Sequence, residues 1–218
     1  MTIIDPMKQI INPLTEVDFS PKNTALVIVC MHKMFVHPDY GTIATGREKG
    51  LHEAMDYYTG RLPTVINNLQ LLLNKCREEK YEIVHVAVES MTNDGRDKCR
   101  YHKDRSGYTK NDIGNEFIDE LLPIEDELIF RKTSCGVFNS TNMQQVMQNI
   151  GIENLIVGGC ITNGSVGHAV MDGADLGFNM VLVEDGCESL TPEIQQASLE
   201  LLSFFTRIKS TDEVLSMI

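Results

Sequence analysis

Three side chains of different reactivity stand where apolar runs of the sequence end: the thiol of Cys30, the amine of Lys132 and the hydroxyl of Ser165. A thiol or hydroxyl attacks a carbonyl carbon only after giving up its proton, and serine needs a base within hydrogen-bond reach to do so. A neighbouring lysine can draw a thiol pKa from about 8.5 toward 7, which would let Cys30 act as base or nucleophile. The set could thus carry out acyl chemistry on a small molecule. Each residue also has a plainer reading. Cys30 follows a buried run, and free cysteines are among the most buried residue types. Lys132 follows Ile129 and Phe130 and could mark a strand end in water. Ser165 opens a helical stretch, where serine commonly serves as the N-cap.

Other chemistries find little in the chain. His32, His37, His85 and His168 show no ligand spacing beside a carboxylate, so no metal is expected. The pair Gly158-Gly159 lacks the spacing of a phosphate-binding loop, and no cofactor is expected. Nineteen Lys and Arg against 31 Asp and Glu leave a net charge of −12, which argues against nucleic acid as partner. Six scattered cysteines without a C-x-x-C pair read as reduced thiols in a cytoplasmic protein. The first residues, with Asp5, Lys8 and two prolines, form neither a signal-peptide apolar region nor a membrane span.

The elements that must position these residues follow from periodicity. Short apolar runs at Thr24–Met31, Tyr81–Glu89, Glu127–Lys132, Glu153–Cys160 and Asn179–Asp185 have the length and continuity of buried parallel strands, and Thr206–Lys209 adds a weak one. Between them lie amphipathic stretches. Leu62–Lys80 places Val65, Leu69, Leu72 and Cys76 on one helical stripe; further helices are expected around Glu116–Leu122, after an N-cap at Ser140, over Ser165–Leu176, over Pro192–Phe205, and after the capping box Ser210-x-x-Glu213. The polar segment Ser90–Asn115 reads as a long excursion over the surface. At 218 residues, 42% of them hydrophobic, the chain has ample core for one domain. The expectation is a three-layer α/β/α sandwich with a mainly parallel sheet of about six strands, over 24–218, preceded by an N-terminal extension, 1–23. Sites in such folds lie beyond the carboxyl ends of the strands.

The stretches TALVIVCMHKMFVHPDYG, TNDGRD, RKTSCGVFNSTN and ITNGSVGHAVMDGADLGFNMVLVEDGCES occupy those ends. In sequence and order they resemble the isochorismatase-like (cysteine) hydrolase superfamily, nearest its ureidoacrylate amidohydrolase-like branch, from about Thr24 onward. The resemblance implies a catalytic Asp, Lys and Cys. Here Cys30 stands at the Asp position, Lys132 at the Lys position and Ser165 at the Cys position, the motif Thr-Asp-Gln-Cys-Val becoming Thr162-Asn163-Gly164-Ser165-Val166. It further implies an oxyanion hole from the amides of Ile161 and Ser165, a cis peptide at Cys160–Ile161, and substrate contacts drawn from Phe35, Cys135, Phe138, Asn139 and His168. The branch's Gln and Glu are lost at Gly164 and Gly167. A homo-oligomer, dimer or tetramer, is implied in the same way. The function so implied is hydrolysis of a C–N bond, amide or ureido. Two alternatives stay open: a catalytically impaired protein that binds a small carbonyl ligand or a protein partner, and a vinyl-ether hydrolase of the isochorismate type.

Overall fold

The computed structural model describes residues 5–103 and 109–218. Its six strands are β1 (Thr24–Val29), β2 (Glu82–Val88), β3 (Leu128–Lys132), β4 (Asn154–Cys160), β5 (Asn179–Glu188) and β6 (Arg207–Lys209). All pair in parallel, in the order β3-β2-β1-β4-β5-β6. Every residue of β1 and β4 is buried, which is why both read as unbroken apolar runs rather than alternating ones.

Side chains alternate across a strand, so β1 feeds two cores. Leu26 and Ile28 face the long helix α3 (His52–Glu79), where Tyr58, Leu62, Val65 and Leu69 form its inner stripe. Val214 of α8 (Thr211–Met217) closes the same layer. Val27 and Val29 face the opposite layer, built on Met143 and Met147 of α5 (Met143–Asn149), Val170 of α6 (Gly167–Asp175) and Leu202 of α7 (Pro192–Leu202). Each fully buried aliphatic side chain contributes about 1.5–3 kcal/mol, so these two layers hold the sheet. Three shorter helices, α1 (Lys33–Val36), α2 (Gly41–Glu48) and α4 (Arg100–Lys103), belong to the loops beyond the strand ends. No described helix is long and apolar enough to cross a membrane.

Several boundaries differ from expectation for definable reasons. Helix α3 begins at His52 rather than Leu62 and runs through Pro63, because its buried stripe continues from Met55 and Tyr58 to Leu62 and Val65 without a break. That continuous burial outweighs the one backbone bond a proline withholds. Ser140 caps no helix: its hydroxyl donates to the Gly136 carbonyl, and Thr141 Oγ1 accepts the Met143 amide instead. Glu116–Leu122 yields only a single tight turn at Asp119–Leu121, and α7 stops at Leu202, short of Phe205. The stretch over Ser165–Leu176 divides into a wide turn, Thr162–Val166, and α6. Part of the Ser90–Asn115 excursion, 104–108, lies outside the described residues, as do residues 1–4 of the extension.

In this strand order the winding direction reverses between β1 and β4. Val29 lies opposite both Val86 and Gly159, so the chain leaves β1 at Cys30 directly beside the end of β4. Parallel sheets leave a crevice at such a reversal, outside the carboxyl ends of the strands.

Candidate active site

Lys132 is the last residue of β3, yet it is fully buried. Its Nζ lies 2.9 Å from the Ser134 carbonyl, 2.7 Å from the Cys135 carbonyl and 2.8 Å from Ser165 Oγ. Burial of an amine is tolerable only with such partners. Ser165 does not cap α6, which begins two residues later without a side-chain cap. The wide turn before it, bent at Gly164 (φ −125°, ψ −114°) and tied by the Gly164 amide to the Ile161 carbonyl at 2.9 Å, aims the hydroxyl at the lysine instead. The peptide Cys160–Ile161 at the foot of this turn is cis.

A cavity of about 310 Å³ opens over Ser165. Phe35, Val88, Ile161 and Leu190 supply its apolar wall; Tyr101, His102, Cys135, Asn163 and Gly164 complete the lining. Its neighbour, about 460 Å³, shares Tyr101, Cys135, Asn163 and Gly164 and adds Asn139 and His168. Phe35, Cys135, Asn139 and His168 therefore face this pair of cavities. Phe138 does not: its ring stacks on Phe178 with centroids 5.7 Å apart and borders a separate depression with Asp172 and Leu176. Its aromatic partner, Phe178, stands between α6 and β5. A hollow of about 700 Å³ under the N-terminal extension, bordered by Leu14, Phe19, Phe204 and Arg207, contains none of Cys30, Lys132 and Ser165.

Cys30 is fully buried and holds a left-handed backbone (φ 55°), its amide bonded to the Val86 carbonyl at 2.7 Å. It does not line the cavity over Ser165. Its thiol neighbours those of Cys135 and Cys160 electrostatically. Burial pushes the thiols of Cys160 and Cys187 up to about 12, which leaves both protonated at neutral pH. Among the described residues, no three His, Cys, Asp or Glu side chains converge as a metal site.

Two histidines have roles that the sequence does not announce. His32, fully buried, has Nδ1 2.7 Å from the Gly114 carbonyl, while its Nε2 accepts the Val88 amide at 3.3 Å. These bonds require a neutral ring with its proton on Nδ1. The ring also meets Phe35 edge-on at 5.2 Å, so it braces two residues of the cavity wall, Val88 and Phe35. Burial, above all, lowers its pKa from 6.5 to about 4. Since the unfolded chain takes up the proton first, the stabilisation is whole above about pH 6.5 and is lost as pH falls through about 4. The loss amounts to about 3 kcal/mol. His85 and His102, also lowered chiefly by burial, add to the loss in the same direction. Urea unfolding at pH 7 and pH 4.5 should show it, with a smaller difference in His32→Gln; an unchanged difference in that variant would refute the assignment.

His102, the second of them, sits on α4 with Nε2 3.4 Å from Cys135 Sγ. Nothing in its polar surroundings in the sequence hints at this, and 33 residues separate the two. The loop that delivers it is pinned by Asp97, which accepts Ser90 Oγ at 2.5 Å and the Met91 amide at 2.7 Å. Burial raises the Asp97 carboxyl, but the bonds from Ser90, Thr92 and Met91 outweigh it and hold it well below the usual range.

Comparison with known proteins agrees with this architecture. The model of the isochorismatase domain matches residues 24–213. A protein of Arabidopsis thaliana described as a probable inactive nicotinamidase is 24% identical over 186 residues, 82% of this chain and 87% of that one. Ureidoacrylate amidohydrolase RutB of Agrobacterium fabrum (strain C58) is 36% identical over 83 residues, 38% of this chain and 36% of its own length. The crystal structure of a cysteine hydrolase from Pseudomonas syringae pv. phaseolicola 1448A superposes with a TM-score of 0.79 at 22% identity, covering 94% of this chain and 97% of the other.

Proposed function

The chain belongs to the isochorismatase family, matched over residues 24–213, and from that premise we propose that it hydrolyses a C–N bond, amide or ureido, of a small molecule at Ser165 and Lys132. The observation that carries this reading is the set of three bonds around Lys132 Nζ. A free amine has two N–H donors and one lone pair. The carbonyls of Ser134 and Cys135 accept two N–H bonds of the lysine and Ser165 Oγ accepts the third; when that third proton leaves, the lone pair it uncovers is directed at the Ser165 hydroxyl. Ser165 attacks the carbonyl carbon as Lys132 takes its proton; the amides of Ile161 and Ser165 receive the developing oxyanion. Lys132 returns the proton to the leaving nitrogen, the C–N bond breaks, and water resolves the acyl-serine by the same route. Lysine paired with serine is a known alternative to the histidine-based triad.

Cys30 is the third member of the site in this reading. Because it lies outside the cavity lining, it acts from the buried layer behind the cavity and not on the substrate. The aliphatic and aromatic wall formed by Phe35, Ile161 and Leu190 suits a small substrate with an apolar portion. A homo-oligomer, implied by resemblance, belongs to the same proposal.

The test is product analysis on a panel of small amides and ureido acids. Product should form with the natural chain and disappear in Ser165→Ala. The double variant Cys30→Asp/Ser165→Cys, which restores the family's carboxylate and thiol, should raise kcat/KM by about tenfold or more, since a thiolate is the stronger nucleophile. Aspartate also tolerates the left-handed backbone at position 30 better than most residues. Absence of product from both proteins, with ligand still bound, would establish the binding protein, a reading in keeping with the relative described as inactive.

A further inference from the structure

The wall of the same cavity holds a second nucleophile and base that the Ser165 reading leaves unused. Cys135 Sγ lies 3.4 Å from His102 Nε2, and both side chains line the cavity that contains Ser165. The pair is built, not incidental. The Cys135 carbonyl is bound by Lys132 Nζ at 2.7 Å, which fixes the backbone from which the thiol projects. The Cys99 amide donates to the Thr133 carbonyl at 3.1 Å and the His102 amide to the Cys99 carbonyl at 3.0 Å, so α4 is tied to the end of β3. His102 is itself buried, 6% exposed, although it stands in a loop.

The remaining cysteines do not compete. Cys30, Cys76, Cys160 and Cys187 are buried, and Cys99 and Cys135 alone are partly exposed. Burial lifts the Cys135 thiol, with Lys132 opposing; burial and then the Lys132 charge hold His102 below its ordinary value. The resting pair is therefore a neutral thiol beside a neutral imidazole, in which Nε2 can accept the S–H proton.

We propose that Cys135, with His102 as its base, is an acyl-accepting nucleophile that takes esters and thioesters into this cavity, an activity separate from amide cleavage at Ser165. The S–H proton passes to His102 Nε2 as Sγ bonds to the carbonyl carbon. The tetrahedral intermediate collapses, the bond to the leaving oxygen or sulfur breaks, and His102 protonates that group, leaving an acyl thioester on Cys135. His102 next takes a proton from water, the hydroxyl oxygen bonds to the acyl carbon, and the Sγ–C bond breaks as the sulfur recovers the proton. Atoms, charge and protons balance without an external reactant beyond water.

The experiment uses the full chain with p-nitrophenyl acetate as probe, reading p-nitrophenolate release and the acetylated position by peptide mass spectrometry. The expected result is a burst close to one equivalent, with acetyl on Cys135 accumulating at least about tenfold faster than on Cys99. His102→Gln should slow acetylation by about 10²-fold. Acetylation at Ser165 and at Cys135 is read on separate peptides, so failure of the Ser165 reading and failure of this one are distinguished. Equal labelling of Cys99 and Cys135, or no labelling of Cys135, would each overturn the proposal. The first comparison is made within the natural protein and needs no variant to fold.

Discussion

Lys132→Met should lower kcat for amide hydrolysis by about 10²–10⁴-fold, the range expected when a general base is removed. Methionine fills much the same volume without a proton-accepting atom, so the cavity shape is kept while the contact at Ser165 Oγ is lost. The carbonyls of Ser134 and Cys135 lose their donor as well, and an unsatisfied buried acceptor costs about 1–3 kcal/mol. Part of that loss is offset, because the variant no longer buries an amine. The melting temperature should therefore fall far less than the activity. Lys132→Arg should be nearly as inactive, since a planar guanidinium cannot be deprotonated and does not fit three acceptors arranged around one nitrogen. Steady-state kinetics decide the matter: turnover within about tenfold of the natural chain in Lys132→Met would remove the lysine from the mechanism.

The largest effect on stability should come from Gly159→Ala. Gly159 adopts φ 125°, and a Cβ placed there would lie 2.0 Å from the Val29 carbonyl oxygen and 2.8 Å from the Val29 nitrogen. These are backbone atoms of the central strand, so they cannot move aside as a flexible side chain would. Relief requires β1 and β4 to separate at the reversal of the sheet, where Cys30 and Cys160 follow. The left-handed penalty and overpacking together amount to about 3 kcal/mol or more. For a domain of this size that corresponds to a melting temperature about 6–12 °C lower. Thermal unfolding followed by circular dichroism is the measurement, and a shift under about 2 °C would show that the strands yield more readily than the geometry allows.

Much of the frame was legible in the sequence because parallel strands buried on both faces leave an unmistakable mark. The runs at Thr24, Tyr81, Glu153 and Asn179 need no partner to be recognised as strands, and the capping box at Ser210 and Glu213 forms as its spacing implies. The early turns of α3 were hidden because the buried residues that anchor them ahead of Pro63, Met55 and Tyr58, lie among polar neighbours. Ser140 reads as a cap, and capping is the plainer of the two readings of Ser165. Serine caps often, but each hydroxyl here has a stronger claim elsewhere, one on a carbonyl and the other on a buried amine. Phe138 falls beside residues that face the cavity, yet it turns to Phe178, an aromatic contact across 40 residues that no local pattern contains. Lys132 and Ser165 stood out by position. His102 did not, because only the folded loop brings it to Cys135.

Lys132 is held at two of its three contacts by main-chain oxygens, at Ser134 and Cys135, and every amino acid supplies such an oxygen. The identity of those two residues is thus irrelevant to holding the amine, provided the path of the chain is kept. Substitution at positions 134 and 135 therefore leaves the hold on the lysine in place, and a thiol can stand at the rim of the cavity without disturbing it. A saturation library at position 135 would then divide by trait, with amide turnover broadly tolerant and ester acylation confined to cysteine. In that sense the lysine's indifference to side chains makes the neighbouring position a place where new reactivity can be tried.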